Sequence, residues 1–303
     1  MNVFIHADDF GDSFNISKAI YTCYEKGILN STSIIVNSKY FERSLKLIKN
    51  KNIRKVLHLN IAEGKPLCDK NFIYLTDKNG EFFRSWQRVV VDYYCFSNKK
   101  KKDLIKSEIK EELKTQILYY CDKLETKNIN IDSHQHYHTI PFITDILIEL
   151  KEEMDIDILN IRVTKEPFFF AIESFNDLKN YFGINFFVHF LLNFLAKKMI
   201  KKFDEHNIKY NDAFIGVLFS GDMTSKAIKE GLKKSKNCKN TEILLHPGFL
   251  SKTEEKLFKN DKFKKWYIHK NRKKELRVLL SQSIMIFKLF KGPSRKLCKS
   301  AKR

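Results

Sequence analysis

Residues 2–11 read NVFIHADDFG, an apolar run that stops at two adjacent carboxylates, Asp8 and Asp9. Asn2 to Ala7 predicts a buried strand whose C-terminal end opens into a polar loop. The same grammar recurs along the chain. Ser31–Val36, rich in β-branched residues, predicts a second strand, and Lys55–Asn60 a third that closes on His58 and Asn60. Ile129–Ser133 predicts a fourth strand running into His134, His136 and His138. Asn160–Thr164, Asp212–Leu218 and Glu242–Leu245 predict three more, the last followed by His246. Helical spacing over Asn15–Gly27, Phe41–Lys49, Asp103–Glu125 and Ile140–Glu152 separates them, with Gly27 as a C-cap. Strands alternating with helices imply βα units and a parallel sheet or barrel. The C-terminal ends of such strands converge on one face, where active sites are built. Polar clusters at the same end of four strands are hard to obtain from packing alone.

The composition fits this reading. The chain has 303 residues, 43% hydrophobic and 30% charged, which is globular rather than disordered. Only 10 Gly and 5 Pro argue against a turn-rich β-sandwich. An α/β barrel of roughly 250 residues with an appendage fits the length. The formal charge is +20, but residues 251–303 carry 18 Lys or Arg against 4 Asp or Glu, a net +14, leaving +6 for the rest. We therefore expect a barrel over 1–250 and a basic extension over 251–303. Six Cys occur with no CxxC spacing, which excludes a zinc ribbon or a thioredoxin-like motif and predicts reduced thiols. The acidic pair near the N-terminus interrupts any signal-peptide core, so a cytoplasmic location is expected.

Asp132-Ser-His134-Gln-His136-Tyr-His138 is the richest stretch. In an extended strand, residues two apart share a face. Asp132, His134, His136 and His138 would then project together, a donor set that suits a divalent metal; the bland alternative is a rim of surface histidines. Asp8 and Asp9 could divide labour, one as ligand and one as base, or simply cap a helix. His58 reads equally as a core histidine and His246 as a turn residue, except that both share the predicted face. The long connection 68–102 reads as irregular and, at that length, as a functional loop.

Taken together, HADDFG (6–11), GILNSTSIIVN (27–37), LHLNIAEGKPL (57–67), IDSHQHYH (131–138), NIRV (160–163) and LLHPGF (244–249) resemble the YdjC-like family of carbohydrate deacetylases, which includes chitooligosaccharide deacetylase. The resemblance runs across residues 1 to about 250. It implies a distorted (β/α) barrel of the polysaccharide-deacetylase type. It also implies a metal-dependent hydrolase that removes an N-acetyl group from an amino sugar in an oligosaccharide or glycan precursor. By motif position, Asp9, His58 and His134 become ligands of one divalent ion, Mg or Zn; Asp8 the general base; and His246 the general acid. Arg162 would orient Asp8 or contact substrate, with His136, His138 and Asn60 beside the sugar. Ala62 stands where the family usually has Thr, one hydroxyl fewer near the site. The same residues would also suit a metal-dependent phosphoesterase, which needs more ligands and more ions, or a glycan-binding or membrane-associated protein that has lost catalysis.

Two segments bear on partners. Phe182–Ile200, FGINFFVHFLLNFLAKKMI, is the most apolar stretch, yet too short and interrupted to span a bilayer. It predicts a helix that is core, lines an acyl groove or lies on a membrane. The C-terminal run mixes Lys and Arg with Val278–Leu280 and Ile284–Phe290, a basic amphipathic signature of contact with anionic lipid at the inner membrane face, or of a tail packed on the barrel. Nothing resembles a nucleic-acid reader, so none is expected as partner, and no feature specifies the oligomeric state.

Overall fold

The computed structural model describes residues 1–249 and 269–281. Seven strands are present among them: β1 (Asn2–Phe10), β2 (Ser31–Ile34), β3 (Arg54–Leu59), β4 (Asn128–Ser133), β5 (Asp157–Ile161), β6 (Ala213–Ile215) and β7 (Asn240–Leu245). They form one sheet in the order β5-β4-β3-β2-β1-β7-β6, every pairing parallel. The sheet curls into a distorted half-barrel. Its two edges approach without a continuous ladder: Ile161 N–H donates to Lys209 O and Phe214 N–H to Lys165 O, each at 2.9 Å. The Asn211 amide then clasps the gap, accepting from Val163 N at 2.7 Å and donating to Val163 O at 2.8 Å. A side chain does here what a backbone ladder does elsewhere.

Helices cover the outside: α1 (Phe14–Lys26), α2 (Phe41–Leu45), α3 (Trp86–Tyr94), α4 (Lys99–Leu124), α5 (Pro141–Glu153), α6 (Lys179–Phe182), α7 (Ile184–Glu205), α8 (Ser225–Lys234) and α9 (Lys270–Ser281). The first shows why these residues are helical. Ser13 caps it by accepting from Ile16 N. Ile16, Ala19, Ile20 and Cys23 then recur on one buried stripe.

Several boundaries differ from expectation. The connection 68–102 is not irregular throughout: it holds α3, and its Lys99–Lys102 run forms the first turn of α4, capped by Asn98. Two buried α4 carboxylates tie that connection down. Glu112 accepts from the backbone of Leu67 and Cys68, and Glu108 from Ile73, Tyr74 and Leu75. α2 ends at Leu45 rather than Lys49. β5 lies at 157–161 rather than 160–164. β6 stops at Ile215, where Gly216 takes a positive φ.

The C-terminal helix α9 packs against the barrel. Leu279 is buried in the main core, and its carbonyl accepts from Ile28 N at 3.2 Å. The expected lipid-facing run Ile284–Phe290 lies outside the described residues. No described helix is long and apolar enough to cross a membrane.

If α9 is structural, Leu279→Ala should destabilise the whole barrel by about 2–5 kcal/mol, the range for emptying a buried Leu site. Urea unfolding would show this as a lower midpoint with an unchanged slope. A shift within about 0.5 kcal/mol would make α9 an ornament.

Candidate metal centre and active site

The polar strand ends do meet. Asp8 and Asp9 come from β1, His58 from β3, Asp132 and His134 from the end of β4, Arg162 from just after β5 and His246 from just after β7.

Two backbone distortions aim the ligands. In a regular strand, Asp8 and Asp9 would face opposite sides. Here the β1–β2 register shifts between Ala7 and Phe10, and Asp9 takes φ 70°. This bulge lets both carboxylates be buried. Gly11 follows at φ 96°, where an added Cβ would lie 2.6 Å from Ile35 O; only glycine fits this turn. The second distortion corrects the extended reading of 132–138. The strand ends at Ser133, and residues 134–139 form a 3-10 turn with positive φ at Gln135 (51°) and His136 (58°). The alternation is therefore broken, and the three histidines take different surroundings.

His134 reaches the candidate centre. Asp9 Oδ1 lies 3.2 Å from His134 Nδ1 and 3.9 Å from His58 Nε2. These three residues could hold one cation, with donor atoms all within 4.8 Å of one another. His58 is presented for this: its Nδ1–H donates to Asp132 Oδ1 at 2.6 Å, which leaves Nε2 as the lone-pair donor. His134 Nε2 lies 3.0 Å from Glu63 Oε1. Burial alone would lower the His134 pKa, but its bonds to Asp9 and Glu63 raise it well above the usual value. The charged ring carries one proton toward Asp9 and another toward Glu63; with its Nδ1 deprotonated it joins Asp9 and His58 as a donor set that suits a divalent cation.

Among the described residues two other groups of the same kind exist, His6–Asp132–Glu242 and Asp8–His58–Asp132. Their carboxylates already serve Arg162. That guanidinium is 1% exposed. It grips both oxygens of Asp8 at 2.9 and 3.0 Å, Asp132 at 2.6 Å and Glu242 at 2.6 Å. A cation in either group would sit against this positive charge. Asp9 differs, because Arg272 of α9 contacts only its Oδ2, at 3.1 Å, and Oδ1 is left facing the imidazoles.

The charges of the remaining groups follow from their neighbours. Burial would raise the pKa of Asp8, but Arg162, His58 and His6 hold it well below the usual range, so Asp8 stays a carboxylate. Burial would also raise Asp9, and His134 and Arg272 hold it low instead. Burial pulls His246 down to about 4 despite Asp9 and Asp8, with Arg272 and Arg162 adding to the fall. Its backbone N–H donates to Glu275 of α9 at 2.6 Å.

The residues expected beside the sugar divide. His138 is fully enclosed, its Nδ1 paired with Ser133 Oγ at 2.6 Å and its Nε2 with Arg162 O at 3.1 Å. Asn60 folds its own loop, accepting from Ala62 and Glu63 N and donating to Asn37 and Glu63 O. Arg162 lies beneath Asp8. The polar atoms of His138 and Asn60 are thus engaged inside the protein, and Arg162 holds Asp8, the first of the two roles expected of it. His136 is partly exposed, and its Nδ1 has no hydrogen-bond partner among the described residues.

Sequence reasoning missed Glu63, Glu242, Arg272 and Glu275. An acid inside the apolar strand NTEILL was a readable signal for Glu242. Arg272 gave none, being one cation in a Lys-rich stretch that meets Asp9 across 263 positions.

The profile of the YdjC-like protein family matches residues 2–287. The chain belongs to the YdjC-like family. The match continues well past residue 250, where the sequence motifs had ended, and takes in α9. A carbohydrate deacetylase of Xenopus laevis is 25% identical over 269 residues, covering 83% of this chain and 82% of its own. One from Brevibacillus brevis is 23% identical over 251 residues, 82% of each chain. A solved structure from Enterococcus faecalis, described as a cellobiose-phosphate cleavage protein, superposes with a TM-score of 0.62 at 17% identity over 92% of this chain and 90% of its own. That likeness shows a shared fold.

Arg162 compensates three buried carboxylates, so Arg162→Leu should cost about 3–5 kcal/mol of stability, as removal of one partner from a buried ion pair does. Denaturant unfolding at neutral pH would measure it, and a neutral effect would mean that the carboxylates are not ionised.

Proposed function

We propose that this YdjC-like protein is a metal-dependent carbohydrate deacetylase. It hydrolyses the N-acetyl group of an amino sugar in an oligosaccharide or glycan precursor to acetate and a free amine. The observation that carries the reading is the buried Asp9–His58–His134 set, with a separate ionised carboxylate, Asp8, beside it. The naming of its relatives supports the substrate class.

Asp9, His58 and His134 would hold one divalent ion, Mg or Zn. When bound, such an ion supplies Lewis-acid polarisation of the acetyl carbonyl and acidifies water. Asp8 is the general base. Its Oδ2 lies 3.9 Å from His58 Nε2, and Arg162 fixes the carboxylate plane through both oxygens. The same guanidinium weakens Asp8 as a base, which suits a role of accepting a proton from already acidified water. Asp132 keeps His58 in its ligating tautomer.

His246 follows β7, which flanks β1 on the side away from β3, and is the proposed acid for the departing amine. It is neutral at rest, so the proton it delivers is the one Asp8 takes from water, passed on before the C–N bond breaks. Asp9 and Asp8 both favour its charged form. Water adds to the acetyl carbon, the C–N bond breaks, and the nitrogen leaves with the proton from His246. The partly exposed ring of His136 is the proposed contact with a sugar hydroxyl. A phosphoesterase with two or three ions is disfavoured, because Arg162 sits in both alternative donor groups.

The test is acetate release from N-acetylated chitooligosaccharides, read beside metal content. Chelation, His58→Ala and His134→Ala should each abolish both metal and rate. His246→Ala should keep the metal and a near-normal KM and lower kcat by about 10²- to 10⁴-fold, the usual worth of a general acid. Full activity in the metal-free protein would end the metal-dependent reading; full activity of His246→Ala would remove the acid.

A further inference from the structure

The inner stripe of α7 is core: His189, Leu192, Leu195, Ala196, Met199 and Phe203 are buried. His189 Nδ1 pairs with Glu166 at 2.8 Å, and Glu166 also accepts the N–H groups of Gly216, Val217 and Leu218. This locks the helix to the loops that leave β5 and β6.

The outer stripe is also apolar. Phe187, Phe190, Leu191 and Phe194 follow helical spacing and are exposed. The stripe then continues as Lys197, Lys198 and Lys201, also exposed. From Phe182 to Phe203 there is no Asp or Glu. The preceding loop extends the surface with Phe170 and Phe175. Phe175 is 86% exposed, Phe182 80% and Phe187 67%. Solitary exposed apolar residues need no account, but a contiguous patch of this kind marks an interaction site.

Its place in the fold is informative. α7 follows β5 and precedes β6 in a parallel sheet, so it starts at the end where the strands finish. The exposed aromatic half of the helix therefore lies at the rim of the catalytic face, and its lysines point away toward the opposite end.

We propose that this face docks on an anionic lipid bilayer. The charge pattern selects that occupant: an apolar first half and a basic stretch Lys197–Lys202 with no acid before Asp204 suits the interface of an anionic membrane. A glycan in the cleft would not reach Phe194, about 10 Å along the helix from Phe187 at 1.5 Å per residue. Resting on the deacetylase reading, the site would then act on an acetylated amino sugar carried by a lipid.

The experiment uses the full-length protein and vesicles of phosphatidylcholine alone or with phosphatidylglycerol. Wild type should co-sediment with the anionic vesicles and much less with the neutral ones. Phe175→Ser/Phe182→Ser/Phe187→Ser, which leaves the core and the site untouched, should weaken this binding by about tenfold or more. It should turn over a soluble N-acetylated oligosaccharide as wild type does, but lose turnover of an N-acetylglucosamine glycolipid in vesicles. Wild type that stays in the supernatant with both vesicles overturns the proposal. So does a triple variant that binds as wild type, or one whose only change is dissociation of a dimer. Vesicle binding without turnover of either substrate would leave the docking surface standing and instead remove the deacetylase reading.

Discussion

One guanidinium sealed inside the barrel organises the site. Arg162 binds Asp8, Asp132 and Glu242 at once, from three different strands. Without that positive charge, three carboxylates in a medium of low polarity could not all stay ionised. With it, Asp8 remains a carboxylate and Asp132 remains the acceptor that fixes the tautomer of His58. Arg54 reaches Glu242 at 3.2 Å from below, and Arg272 reaches Asp9 from α9. The four carboxylates Asp8, Asp9, Asp132 and Glu242 thus meet three guanidiniums. The shortfall lies beside Asp9, where His134 is driven to hold a proton. A cation held by Asp9, His58 and His134 would make good that shortfall.

This arrangement requires the backbone to depart from regularity where it does. The bulge at Asp9 lets adjacent residues serve different masters, one toward Arg162 and one toward the imidazoles. The left-handed pair Gln135–His136 likewise turns the chain so that only His134 enters the centre. Strain of this kind persists only when its surroundings over-determine it. Here the determinants are Gly11 against Ile35, and Ser133 holding His138 through both its backbone N–H and its ring.

The parallel architecture was legible because each strand announces itself as an apolar run ending in polar residues. The convergence of Asp9, His58 and His134 could be read for the same reason: parallel strand ends must share a face. The divergence of His136 and His138 from that face could not be read. It depends on two positive φ values that no side-chain pattern encodes, since neither Gln nor His advertises a left-handed turn. The burial of Arg162 also escaped a reading by residue type, because an arginine beside a predicted site suggests substrate as readily as support. α9 was hidden by composition. Its lysines resemble a solvated tail, and the three residues that anchor it, Arg272, Glu275 and Leu279, reveal themselves only through partners far away in sequence.

The central claim is that a single cation belongs between Asp9, His58 and His134. Crystals grown with Mn²⁺ and measured at its absorption edge would test it most directly. One anomalous peak is expected, in contact with Asp9 Oδ1, His58 Nε2 and a ring nitrogen of His134, with Arg162 still on Asp8. A peak within His6–Asp132–Glu242 or Asp8–His58–Asp132, or no peak with His134 still bridging Asp9 and Glu63, would contradict it.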